Sequence, residues 1–263
     1  MPCCPASATP FPGKKNIFPY TPTRLPMGRV IEEAALHNRV RVFQDRREAG
    51  AKLAGCIRGR LVFPQPFIVC AIPAGGVPVG LELAEKLPAR LMLGIVRKVK
   101  IPGNPEAGFG AVTWEGSVLL NEALIRQIGL TRQEIDAAVQ ETRENIRDRM
   151  ERFTGGRPLP SLQGTAVMIT DDGLASGYTM LAAIRAARNG GAREITVAVP
   201  TGSAGAVSLV AAEADLVVCL NQRDRYPFAV ADAYRSWYDL DDREVSALIR
   251  EAGNKGLLWN CER

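Results

Sequence analysis

Apolar positions along the chain follow two rhythms. Short, nearly unbroken apolar runs occur at 66–73 (PFIVCAIP), 90–96 (RLMLGIV), 166–169 (AVMI), 194–200 (EITVAVP) and 215–220 (DLVVCL). Their length and β-branched content predict short strands with little solvent exposure. Between them lie segments with helical spacing. Residues 45–59 place Ala49, Leu53, Cys56 and Ile57 on one side. Residues 77–87 follow the first strand. Residues 131–153 open on a capping box, Thr131 with Glu134, and keep Ile135, Val139, Ile146 and Phe153 on one face. Residues 179–189 align Met180, Ala183, Ile184 and Ala187 and stop at Gly190-Gly191. Residues 202–212 form a helix of small residues. The alternation predicts an α/β, doubly wound domain: a parallel sheet of about five strands flanked by helices, joined by right-handed crossovers.

One stretch carries candidate chemistry, residues 165–179, TAVMITDDGLASGYT. A strand runs into two carboxylates, Asp171 and Asp172, then into a small-residue turn and a helix. Small residues let backbone N–H groups converge on an anion, and the following helix points its positive end at the same place. Each charge at a helix N-terminus gains only about 0.3–1 kcal/mol, so several N–H groups and a hydroxyl from Ser176 or Thr179 are needed to hold a phosphate. Adjacent residues on a regular strand point to opposite faces. The two Asp can therefore serve one ligand only where the strand ends. A carboxylate pair beside a phosphate cradle suits a sugar phosphate. The plainer alternative is a βαβ unit whose Asp caps a helix.

The stretch VMITDDGLASGYT resembles the signature of type I phosphoribosyltransferases. The resemblance implies the fold of that family, with a small C-terminal hood. It also implies a pentosyl-type glycosyltransferase that moves phosphoribosyl from phosphoribosyl pyrophosphate (PRPP) to a nitrogenous acceptor, a nucleobase by analogy, and releases pyrophosphate. Asp171 and Asp172 would hold the ribose hydroxyls. Leu174, Ala175, Ser176, Gly177, Tyr178 and Thr179 would hold the 5′-phosphate. Mg²⁺ would arrive with PRPP, with no metal site of the protein's own. The hypoxanthine-type members carry an Asp, thought to act as general base, where this chain has Ala175; adenine- and uracil-type members carry Ala. Glu106 and Lys100 are the weaker remaining candidates for a base. The family also implies a homodimer, cytoplasmic, working in nucleotide metabolism.

The same resemblance extends to other stretches. Ala74, Gly75 and Gly76 follow the strand at 66–73, where the family grips the pyrophosphate, often through an unusual peptide conformation. The resembling sequences read Pro-Arg-Gly-Gly there, so Ala74 removes one cation. Arg97 and Lys98 match an Arg-Lys pair assigned to the leaving group, and the Gly/Pro-rich run to Gly110 matches a mobile lid. RKV-x-x-PGNPE-x-x-x-GAV is similar to a subgroup of uncharacterised bacterial and archaeal phosphoribosyltransferases, and the similarity spans about 43–249. Val230 and Tyr238 fall in the hood segment, where they would read and stack on the acceptor.

Composition bounds the remainder. The chain has 263 residues, ordinary apolar content and a net charge of +5. The excess sits before Leu61 and has little aromatic interleaving, so it argues weakly for nucleic acid. No apolar run reaches a membrane span. His37 is the only histidine, which excludes a His-based triad or multi-His metal site. Among Cys3, Cys4, Cys56, Cys70, Cys219 and Cys261 no C-x-x-C occurs, a pattern of reducing compartments; a cluster of Cys3, Cys4 and Cys261 is disfavoured because both ends look loose. Residues 1–28 read as a Pro-rich arm, disordered or draped, 29–252 as the catalytic domain with a hood at about 221–240, and 253–263 as a tail. Walker, dinucleotide and nucleophile-elbow motifs are absent. Two other classes stay open: a PRPP or nucleotide sensor without turnover, and a phosphate-ester hydrolase.

Overall fold

The computed structural model describes residues 17–19, 29–62, 67–87, 89–156 and 159–259. In chain order the strands are β1 (Ile17–Pro19), β2 (Arg29–Ile31), β3 (Phe67–Ala71), β4 (Arg90–Leu93), β5 (Val96–Ile101), β6 (Asn104–Thr113), β7 (Val118–Leu120), β8 (Ala166–Thr170), β9 (Glu194–Ser203) and β10 (Leu216–Arg223). The helices are α1 (Arg46–Arg58), α2 (Gly76–Lys86), α3 (Glu122–Ile128), α4 (Arg132–Thr154), α5 (Tyr178–Asn189), α6 (Ala204–Ala211) and α7 (Asp242–Asn254). α1, α2, α4 and α5 and strands β3, β8 and β10 form close to where the apolar pattern puts them; β1, β2, β6, β7, α3 and α7 are additional.

Six strands form a parallel sheet in the order β2-β10-β9-β8-β3-β4. Alternation along the strands divides the core. Phe67, Val69 and Ala71 of β3 and Met168 of β8 pack with Leu53 of α1 and Leu81 of α2. Ile68 and Cys70 of β3, with Val167 and Ile169 of β8, pack with Ile184 of α5 and Val207 of α6 on the other face. From β3 the chain crosses outward to β4; from β8 it crosses the opposite way to β9 and β10. The order therefore reverses between β3 and β8, which is where open parallel sheets collect ligands, beyond the carboxyl ends of the strands.

The short β2 joins the edge of the expected sheet as a sixth strand, pairing Val30 with Val217. Two boundaries need correction. The run at 90–96 is not one strand: it breaks at Gly94, where a Cβ would stand 2.5 Å from Cys70 Sγ, and the chain passes into a second sheet ordered β1-β7-β6-β5. The Gly/Pro-rich run expected as a mobile lid forms an antiparallel hairpin of β5 and β6, turning at Gly103 with φ +77°. β9 runs on to Ser203, because Thr201 and Gly202 still pair with Asn221 and Gln222, so α6 starts at Ala204 rather than Gly202.

At the chain's ends, the segment read as a tail begins inside α7, and Leu258 pairs with Leu91 at the β4 edge. In the Pro-rich arm, Ile17–Pro19 pairs with β7; the rest of the arm, and Cys3, Cys4 and Cys261, lie outside the described residues. Among the described residues no helix is long and apolar enough to cross a membrane.

A buried polar knot fixes the chain ahead of α1. Thr201 Oγ1 donates to Asn221 Oδ1 at 2.7 Å, while Asn221 Nδ2 donates to the carbonyls of Leu36 and Arg39. Arg41 N and Phe43 N then donate to the carbonyls of Asp232 and Ala233, and the chain enters α1. Replacing Asn221 with Ala removes its side-chain bonds to Thr201, Leu36 and Arg39, at about 0.5–1.5 kcal/mol for each net hydrogen bond. Urea unfolding of Asn221→Ala should register a loss of that order; an unchanged midpoint would show that the knot does not anchor this segment.

Candidate functional site

β8 is buried over its whole length between β3 and β9. It ends at Thr170, and the two acids stand just beyond. Asp172 N donates to Asp171 Oδ1 at 2.8 Å: the chain is already turning, which frees the adjacent carboxylates from pointing to opposite faces. The cation that meets them is Arg46, from the first turn of α1. Its Nε lies 2.8 Å from Asp172 Oδ2, and its Nη1 donates to the Tyr238 carbonyl at 2.9 Å. The guanidinium also lies over the Trp237 ring, 3.9 Å from the centroid, and Arg46 is only 7% exposed. Tyr234 donates its hydroxyl to the Asp172 carbonyl at 2.6 Å.

The β3–α2 loop presses against the same acids. A Cβ on Gly75 would fall 1.9 Å from Asp172 Oδ2, and one on Gly76 would fall 2.9 Å from Asp171 Cα. No other residue type fits this approach without displacing a carboxylate or the backbone. The peptide between Pro73 and Ala74 is cis, matching the unusual peptide expected in this loop.

Electrostatics follow from this packing. Burial, and then the charge of Asp172, push the Asp171 carboxyl well above the usual range. Burial pushes Asp172 up too, opposed by Arg46. Burial raises the Tyr234 phenol well above its ordinary value, with the Asp172 charge adding to it. The buried Cys70 thiol is pushed up to about 12 by desolvation, so it is a packed hydrophobe rather than a nucleophile.

The helix starts are informative. α1, α3, α4, α6 and α7 each begin under a side-chain cap, from Asp45, Asn121, Thr131, Ser203 and Asp241. α2 and α5 begin at Gly75 and Gly177 with no side-chain cap bond. Both stand at the switch point between β3 and β8. A helix N-terminus favours an anion, and neither start carries a side-chain cap, although in α2 the Gly76 and Val77 N–H groups donate to the Ile72 and Ala74 carbonyls. In the α5 loop, Leu174 is buried and bridges to Gly202, and Ser203 Oγ donates to the Ala175 carbonyl at 2.9 Å. Gly177 turns at φ +80°. Ser176 is exposed, Thr179 is half-buried, and Tyr178 accepts a hydrogen bond from Asn121 Nδ2 at 2.9 Å.

The structure thus brings Ala74, Gly75 and Gly76 together with Asp171, Asp172 and the turn from Leu174 to Thr179. Val230 joins them: a Cβ on Gly173 would meet its Cγ1 at 2.6 Å. Tyr238 contributes its carbonyl to Arg46, while its side chain is 55% exposed. Arg97 and Lys98 sit near the start of β5 rather than at a strand's end. With Lys100 they line a cleft closed on the other side by Glu141, Thr142 and Asn145 of α4. Burial, and then Arg149, lower the Arg97 pKa. The Glu106 side chain lies outside the described ones. Sequence reasoning missed Arg46 and Tyr234. Arg46 counted only as part of a basic stretch, since nothing local signals a partner 126 residues away.

The candidate site is thus a doubly wound sheet with paired carboxylates and two helix starts free of side-chain caps at its switch point. The chain belongs to the phosphoribosyl transferase domain family, whose model matches residues 44–231. It is 37% identical over 216 residues to each of two provisionally named phosphoribosyl transferases of Mycobacterium tuberculosis, MT0597 and Rv0571c. The match takes in 81% of this chain and 47% of each of those proteins, so the chain spans about half the length of the curated relatives it matches. The crystal structure of TT1426 from Thermus thermophilus is similar at a TM-score of 0.65 and 35% identity, covering 80% of this chain and 98% of that one.

Asp171 has a thermodynamic signature. Its folded pKa is raised above the unfolded value, so the folded state binds the extra proton and stability falls as pH rises through the unfolded value towards the folded one. Asp171→Asn keeps the acceptor oxygen for Asp172 N and removes the buried charge. Thermal melts should show the variant more stable than the parent near neutral pH, with the gain vanishing in acid. A variant less stable at neutral pH would contradict the assigned burial cost.

Proposed function

We propose that the protein moves the phosphoribosyl group of PRPP to a nitrogenous acceptor, a nucleobase or close analogue, and releases pyrophosphate. The single observation that carries the reading is the convergence of Asp171 and Asp172 with the glycine starts of α2 and α5, neither under a side-chain cap, at one switch point. The 5′-phosphate would rest on the turn from Leu174 to Thr179 and the ribose hydroxyls on the acids. The pyrophosphate would lie against Ala74, Gly75 and Gly76.

In the reaction, the bond from the ribose anomeric carbon to the pyrophosphate oxygen breaks and a bond to the acceptor nitrogen forms. Positive charge grows on the ribose, where the acid pair stabilises it. Mg²⁺ enters as part of the substrate, on the pyrophosphate, and takes up leaving-group charge. Arg97 and Lys98 on the β5–β6 hairpin would reach the same oxygens when the hairpin closes over the site. Val230 and Tyr238 would border the acceptor, which loses its proton to solvent or to Lys100 or Glu106, since Ala175 supplies no carboxylate. The setting we assign is a cytoplasmic homodimer acting on small molecules, built on a domain over residues 29–252.

One observation favours a second reading, PRPP binding without turnover: Ala74 offers the pyrophosphate no cation. Pyrophosphate release separates the readings, since a sensor releases nothing and an esterase releases phosphate. With PRPP, Mg²⁺ and a panel of bases, the parent should release pyrophosphate and Asp171→Asn should lose it by about 10²-fold or more, the scale for removing a transition-state electrostatic contact. Unchanged release from Asp171→Asn would contradict the assignment.

A further inference from the structure

Arg46 has three partners that belong to two different parts of the site. Asp172 is one of the proposed ribose ligands; the Tyr238 carbonyl and the Trp237 ring belong to the hood. Nearby, Tyr234 ties the hood to the Asp172 carbonyl and stacks near Trp237 at 5.1 Å between centroids. The Asp172 carboxylate that Arg46 holds lies over Gly75, in the loop assigned to pyrophosphate. An exposed arginine makes and breaks such contacts cheaply. This one is buried, so a change at one partner is passed to the others, and loss of the Asp172 carboxylate would strand its charge.

We propose that Arg46 is a positioning residue that couples the ribose acids to the acceptor hood, so that PRPP arriving at Asp172 orders the wall against which the acceptor binds. The proposal rests on the phosphoribosyltransferase reading and deepens it. When ribose hydroxyls donate to Asp172, its charge is shared between them and the guanidinium. Arg46 is then held from both sides, and with it Trp237 and the backbone at Tyr238. Removing the guanidinium cuts that link and leaves Asp172 beside Asp171 with no cation.

The groups facing Asp172 are Asp171 on the same loop, Arg46 from α1 and Tyr234 from the hood. Asp45 and Glu244 stand further out, around Tyr238. Arg46 is the cation of this group that opposes protonation of Asp172, so without it the carboxylate takes up a proton at higher pH.

The test uses the full-length protein, PRPP with Mg²⁺ as the probe, calorimetry from pH 5 to 8.5, and hydrogen exchange of residues 226–241. In the parent, PRPP should slow exchange across the hood. Arg46→Gln should weaken PRPP binding roughly tenfold or more, the equivalent of one pKa unit. Its loss of binding in acid should begin at higher pH than in the parent; titration of PRPP itself is common to both proteins and cancels. Saturating PRPP should no longer protect the hood. Arg46→Lys guards against a folding defect: it should return the acid limb towards the parent's, but not full hood protection, because an ammonium cannot sit flat on Trp237 while bonding Asp172 and Tyr238. Parent-like affinity, pH profile and hood protection in Arg46→Gln would overturn the coupling alone. Failure of the parent to bind PRPP would overturn the functional reading with it.

Discussion

Two carboxylates side by side at the mouth of an apolar sheet are costly to keep. Burial and mutual repulsion both favour a proton on one of them, and Asp171 shows that tendency most strongly. The site holds together because the turn after β8 gives Asp171 a backbone donor and because Arg46 meets Asp172. Much else in the molecule follows from that arrangement. α1 must deliver Arg46, the chain before α1 must be tied down by Asn221, and the segment carrying Tyr234 and Trp237 must pack against the guanidinium and the Asp172 backbone.

The sheet topology supplies the other half of the site. Strand order reverses between β3 and β8, which places two loop-to-helix turns side by side. Glycine at Gly75 and Gly177 lets the backbone approach closely and, by lacking a side chain, leaves both helix starts without the caps that the other helices carry. The burial and repulsion that raise the Asp171 pKa are a cost to the free protein, offset in part by the Asp172 N–H and by Arg46.

Legibility in the sequence divides along physical lines. The acid pair, the small-residue turn and the capping box at Thr131 and Glu134 were readable because the interactions that fix them are local. The strands of the main sheet were readable as apolar runs because both faces are covered. Boundaries failed where a long-range contact decided them. The apolar run through Gly94 gives no sign that the chain leaves one sheet for another: Gly94 N still donates to the Ala71 carbonyl of β3, while Val96 onward pairs with β6. The Gly-rich run after Gly103 resembles a loop by composition, yet small residues are what its pairing needs: a Cβ on Gly110 would stand 2.5 Å from the Leu119 carbonyl oxygen. Arg46 was invisible as a site residue for the same reason, since its partners lie in the centre of the chain and in the hood.

If the acid pair and the two glycine helix starts form one site, that site should take PRPP as a whole. Calorimetric titration of the unmodified protein with PRPP, with and without Mg²⁺, tests this most directly. Saturable binding that strengthens with Mg²⁺ is the expected result, because the metal ion screens the pyrophosphate beside Asp172. No binding at millimolar PRPP, which corresponds to about −4 kcal/mol or weaker, would contradict it and would mean that the fold has kept the cradle without the ligand.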